Sequence, residues 1–98
     1  QQLLAAGDSL VEGLASQPYL QARMWRVLGS VDFARGRPES AEQLLRRAYD
    51  RLMSIEGTDS LTVAQTYHEL ARAVDSHTGR AKALPMFQQS VERLRRAE

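Results

Sequence analysis

Metal chemistry and acid–base catalysis need His, Cys, Asp or Glu at chelating or hydrogen-bonding spacing, and this chain offers few such groups. Its two histidines, His68 and His77, are nine residues apart. On a helix that separation is about two and a half turns, so the rings point to nearly opposite sides and cannot share an ion. Cysteine is absent, which excludes disulfides, thiolate nucleophiles and zinc–thiolate sites together. Asp8 and Glu12 lie one turn apart, a spacing that is ordinary on an exposed helix face. No nucleophile elbow, phosphate loop or kinase motif occurs. The residues therefore describe a segment that is not itself catalytic and calls for no metal and no cofactor.

Binding chemistry is better represented. Twelve of the thirteen basic residues are arginine, with Lys82 the only lysine. Arginine suits bidentate contacts with carboxylate or phosphate, although the abundance of Ala and Leu fits a coding composition that favours Arg anyway. Net charge is only +1, too small a field to favour nucleic acid or an acidic membrane. Arg93, Arg95 and Arg96 fall in a final helical turn, where they complement the helix dipole. Among the aromatics, Phe33 stands off the apolar register and is a candidate exposed ring. No apolar run approaches the ~20 residues that span a bilayer. The chain opens on Gln1 without a signal segment, which reads as an excised piece of a longer, cytoplasmic protein.

The elements that must position these groups follow from a repeat. A shift of 42 residues carries Trp25 onto Tyr67, Leu28 onto Leu70, Gly29 onto Ala71, Ala41 onto Ala83, Leu45 onto Phe87, Ala48 onto Ser90, Arg51 onto Arg93 and Leu52 onto Leu94. The same shift backwards sends Leu45 to Leu3, Ala48 to Ala6 and Leu52 to Leu10. Large stays large and small stays small, as stacked copies of one unit require.

Punctuation divides the chain into about five helices and predicts an all-α fold. The first runs from about Gln2 to Ala15. Pro18 opens the second, which ends near Gly36; Pro38 opens the third, with Leu44, Leu45, Ala48, Leu52 and Ile55 at spacings of three and four. Gly57-Thr58-Asp59-Ser60 is a turn followed by a cap, and Thr78-Gly79 stops the fourth helix. Pro85 predicts that the fifth begins near Lys82 or Ala83, so that the ring lies in the first turn. Gly79 falls one place later than Gly36 predicts, so the two inter-helix turns should differ. Trp25, Leu28, Leu45, Leu52, Tyr67, Leu70, Phe87 and Leu94 form the expected core.

The stretch Trp25-x2-Leu28-Gly29, then Ala41, Leu45 and Ala48, resembles a tetratricopeptide repeat. Asp32 replaces the aromatic of that family's pattern, and Met53 its closing Pro. The period, with Ala41 to Ala48 followed by Gly57 and Val63-Ala64, is similar to the longer variant of kinesin light chains and bacterial signalling proteins. Ser16 to Ala73 more weakly resembles repeat tails of bacterial serine/threonine kinases. The resemblance implies a right-handed α-solenoid. Residues 1–16 would be the second helix of a truncated repeat, with full repeats at 18–57 and 59–98.

In such proteins the first helices of successive repeats line a concave groove for a peptide or a partner helix. By register the groove positions are Arg23, Arg26, Ser30 and Phe33, then Gln65, His68, Arg72 and Asp75, with Arg26 and His68 as neighbours. The implied function is protein–protein interaction, as a scaffold or regulatory segment, with an acidic peptide suited to the arginines. An accessory part of an enzyme such as a kinase, or a plain solenoid spacer, are the alternatives. No nucleic-acid or membrane partner is expected. Apolar ends at Leu3, Leu10, Val11 and Leu14, and at Leu84, Val91 and Leu94, predict a homodimer or end-to-end stacking.

Overall fold

The computed structural model describes residues 13, 14 and 16–97. Among them are four helices and no strand: α1 (Pro18–Ala34), α2 (Pro38–Glu56), α3 (Leu61–His77) and α4 (Arg80–Ala97). Of the helix expected over 2–15, residues 2–12 and 15 lie outside the described residues, Leu3, Leu10 and Val11 among them; Gly13 and Leu14 form a turn, with the Leu14 carbonyl accepting from the Gln17 N–H at 2.8 Å.

Each boundary has a local cause. Pro18 and Pro38 occupy the first turns of α1 and α2, where a missing N–H is no loss. Ser60 caps α3, its hydroxyl accepting from the Val63 N–H at 3.3 Å. After α1 the chain reverses through Arg35, Gly36 and Arg37, with Gly36 at φ 74° and the Arg37 N–H donating to the Asp32 carbonyl at 2.9 Å. The turn after α3 is shorter. Thr78 and Gly79 both donate to the Val74 carbonyl, at 2.7 and 2.9 Å, and α4 begins at once. The two turns therefore differ, as the displaced glycine indicated.

The start expected for α4 near Lys82 or Ala83 is corrected: the helix begins at Arg80 and Pro85 lies inside it. Arg80 is held there by Asp75, to which it donates from Nε at 2.7 Å and Nη2 at 3.2 Å. The Ala83 N–H closes the first turn on the Gly79 carbonyl at 3.2 Å. Pro85 and Ala81 are both exposed, so the Ala81 carbonyl that proline leaves without a donor is open to water.

Short connections make successive helices neighbours, and three apolar clusters hold them. Trp25 packs with Leu44 and Ala48, flanked by Met24 and Leu28, and so joins α1 to α2. Leu52 meets Ala22 and Val63. The third cluster (Ala41, Leu45, Leu70, Ala73, Val74 and Ala83) spans α2, α3 and α4. Small residues let the axes approach: Ala41, Ala48, Ala71 and Ala83 are all wholly buried.

Of the expected core, Trp25, Leu45, Leu52 and Leu70 are buried. Leu28, Tyr67, Phe87 and Leu94 are only half-buried. Tyr67 keeps its hydroxyl at the surface, donating to Gln89 Oε1 at 3.0 Å. Its ring lies 5.0 Å from that of Tyr49 and 4.3 Å beneath the Arg93 guanidinium. The first repeat builds the same pair at the equivalent positions, with Arg51 over Trp25 at 6.0 Å.

Polar ties connect the helices, within a unit and between units. Asp32, in the place of the family's aromatic, is wholly buried and accepts from the Ser40 hydroxyl, joining the end of α1 to the start of α2. Glu42 of α2 meets the far end of α3, at 3.0 Å from both His77 Nδ1 and the Thr78 hydroxyl.

Candidate functional site

The first helices of the two units, α1 and α3, line up side by side and touch only lightly, which leaves a cleft of about 640 Å³ against α1. Its wall is the stripe Tyr19, Arg23, Val27, Ser30 and Val31, with Arg26 beside it and Thr62 at the start of α3. Spacings of three and four put these side chains on one helix face. That face is the one the core does not use: Tyr19 is 42% exposed, Val27 58% and Val31 38%.

The central polar feature is an ion pair. Arg26 donates from Nε to Glu69 Oε1 and from Nη2 to Glu69 Oε2, both at 2.8 Å. Two parallel bonds of this kind fix the plane of the guanidinium. The hydrogen bonds that Arg26 donates to Glu69 raise its pKa above the ordinary value, against an opposing effect of burial. Arg23, by contrast, is exposed and has no acidic partner among the described residues; its guanidinium lies 5.8 Å over the Tyr19 ring.

The structure brings three of the eight expected groove residues together in this cleft: Arg23, Arg26 and Ser30. Phe33 is half-buried and packs against the Leu45–Leu70 cluster, with the exposed Arg72 4.9 Å above its ring. Gln65 is exposed. Asp75 is taken up by Arg80, whose pKa is raised by that hydrogen bond. His68 faces α4, its ring 5.6 Å from that of Phe87 and its Nδ1 3.4 Å from the Ser90 hydroxyl.

The residue that meets Arg26 across the stack is thus Glu69, one place beyond the expected His68. The reason is geometric. Residues 42 apart occupy equivalent azimuths on parallel helices, so Arg26 and His68 point the same way rather than at one another. The next residue is turned by about 100° on an α-helix, which brings Glu69 round to α1. Sequence reading missed Glu69, and it missed the apolar stripe of Tyr19, Val27 and Val31. Their signal was present as three large residues at spacings of eight and four, off the face that carries Ala22, Trp25 and Gly29.

Trp25 sits in the α1–α2 core, Phe87 flanks the α2–α3–α4 cluster, and Tyr67 lies tilted at 45° against Tyr49. Among the described residues no group of three His, Cys, Asp or Glu is placed to hold a metal, and no helix is long and apolar enough to cross a membrane.

Comparison with known proteins agrees with this architecture. The family model described as tetratricopeptide repeat matches residues 20–96, which spans all four helices but for their extreme ends. No curated protein and no solved structure matches the chain. Four helices in two units, small residues at the helix crossings and this match over most of the sequence give one conclusion: the chain belongs to the tetratricopeptide repeat family, whose repeats generally mediate protein–protein interaction.

Proposed function

We propose that the cleft along α1 receives a peptide or a helix of a protein partner, and that the chain serves as the interaction segment, scaffold or regulatory, of a larger protein. The observation that carries this reading is the pairing of an exposed apolar stripe with oriented donors. Tyr19, Val27 and Val31 offer apolar surface, while Arg26, Arg23 and Ser30 offer hydrogen bonds in the same cleft. Apolar lining with a few placed polar groups is what small binding sites share. Selection of a random twelve-residue peptide library on the protein tests it. Peptides recovered on the wild type should lose binding on a Val27→Asp/Val31→Asp variant whose helical circular dichroism is unchanged. Recovered peptides that bind both proteins equally would place the binding surface elsewhere.

A second reading, end-to-end self-association, is favoured by α4. Leu84 is 49% exposed and Val91 52%, and their spacing of seven puts them on one face. They stand at the positions of Glu42 and Tyr49 in α2, both of which contact α3. Sedimentation should show concentration-dependent association at tens of micromolar that Leu84→Lys/Val91→Lys removes. A wild type that stays monomeric over that range would end this reading.

A further inference from the structure

Resting on the cleft as a partner site, we infer that Glu69 sets the charge the cleft accepts: it neutralises Arg26 and restricts the partner to an apolar segment that brings a neutral oxygen, not a carboxylate, to that position. The argument begins with donor counting. A guanidinium has five N–H groups. Glu69 engages the Nε–H and one Nη2–H, so both Nη1–H groups and the second Nη2–H stay available. Arg26 is half-buried and lines the cleft, whereas Glu69, equally half-buried on α3, is not among the residues that line it. The available edge is therefore held in a fixed plane, and Glu69 acts on any ligand through Arg26 as a positioning residue.

Charge then decides what this edge takes. A carboxylate arriving at it meets a cation that already has its counter-ion and is repelled by the Glu69 charge across the width of one guanidinium. A backbone carbonyl or a side-chain amide accepts the same N–H groups without that repulsion. The surroundings match, because Val27 and Val31 leave this part of the cleft apolar. An acidic group has one other place to go. Arg23, one helical turn towards the Tyr19 end, has no acidic partner among the described residues. Arg72 does not line the cleft and lies over Phe33. Among the described residues, the three arginines that suggested a broadly acidic ligand thus reduce to one cation in the cleft without an acidic partner, at one end. The fitting partner is an apolar stretch with a neutral middle and a single acidic residue.

The same twelve-residue library, selected in parallel on the wild type and on Glu69→Gln, tests this. Wild-type clones should be apolar, with Asp or Glu confined to one position. Glu69→Gln clones should gain a second acidic position, and by fluorescence anisotropy should bind Glu69→Gln about tenfold more tightly than the wild type. Glu69→Asp, which keeps the charge, should select like the wild type and so separates charge from packing. Equal acidic enrichment on the wild type and Glu69→Gln would overturn the inference while leaving the cleft as a binding site. Recovery of no specific clone on either protein would overturn both.

Discussion

Gly29 faces α2 with no room for a side chain, and its replacement should reverse sign with the identity of one neighbour. A Cβ at Gly29 would lie 2.7 Å from Leu45 Cγ and 3.0 Å from Leu45 Cδ2, with the Ala41 carbonyl oxygen at 3.4 Å. Leu45 cannot swing aside, because it is 1% exposed and packed with Leu70, Ala73 and Val74. Overpacking of this kind costs ~1–3 kcal/mol. Replacing a glycine inside a helix returns ~1 kcal/mol. Gly29→Ala should therefore destabilise the wild type by ~1 kcal/mol, a fall of about 4–8 °C in Tm for a domain of this size. Leu45→Ala alone should cost ~2–5 kcal/mol. In that background both short contacts are gone, and of the three nearest atoms the Ala41 oxygen stays, at an ordinary 3.4 Å, so Gly29→Ala should stabilise by ~1 kcal/mol. The coupling between the two sites is then ~2 kcal/mol, well above what independent sites show. Urea unfolding of the four proteins, followed by helical circular dichroism, measures it. A Gly29→Ala that stabilises the wild type, or that costs the same in both backgrounds, would refute the packing argument.

Ser40→Ala should destabilise by ~2 kcal/mol, since it removes a hydrogen bond to a charged, wholly buried group. Asp32 Oδ1 already lacks a hydrogen-bond partner among the described residues, so the carboxylate would have no side-chain donor left. Ser40→Thr should recover most of that in urea unfolding, and a loss below ~0.5 kcal/mol for the alanine variant would show that the hydroxyl is not what satisfies Asp32. Tyr67 gives a pH prediction. Its pKa is raised from the ordinary 10.0, chiefly because burial disfavours the phenolate. The unfolded chain then releases this proton first, so the contribution is intact below pH ~10 and is lost as pH rises through the folded value. Stability measured from pH 9 upwards should fall more steeply for the wild type than for Tyr67→Phe; parallel curves would show that the ring's surroundings do not oppose ionisation.

What could be read from the sequence was whatever depends on one helix at a time. Pro18 and Pro38, Ser60, and the glycines at 36 and 57 mark helix ends through local backbone chemistry, and the structure ends its helices there. The 42-residue register carries the small residues at the crossings for the same reason, because Ala41 and Ala83 answer to the same steric demand. Pro85 shows where a local rule gave way. The helix already includes Arg80, paired with Asp75, and the proline's cost falls on the exposed Ala81 carbonyl instead of moving the helix start.

The site was legible only in part because it is made between helices. Register says which residues are equivalent, and equivalence on parallel helices means pointing the same way. Contact is a different relation, and it falls to residues a fraction of a turn away. Arg23, Arg26 and Ser30 share one helix face and so line the same cleft, whereas the ion-pair partner of Arg26 lies one residue beyond His68, the neighbour expected from register. The error has a chemical consequence as well as a geometric one. With His68 opposite, Arg26 would be a free cation in a basic groove; with Glu69 opposite, it is a neutralised and oriented donor in an apolar one. If the cleft is the partner site, a shift of one position across the stack turns a cleft suited to acids into one that refuses them at its centre, and the azimuth of a single carboxylate sets that choice.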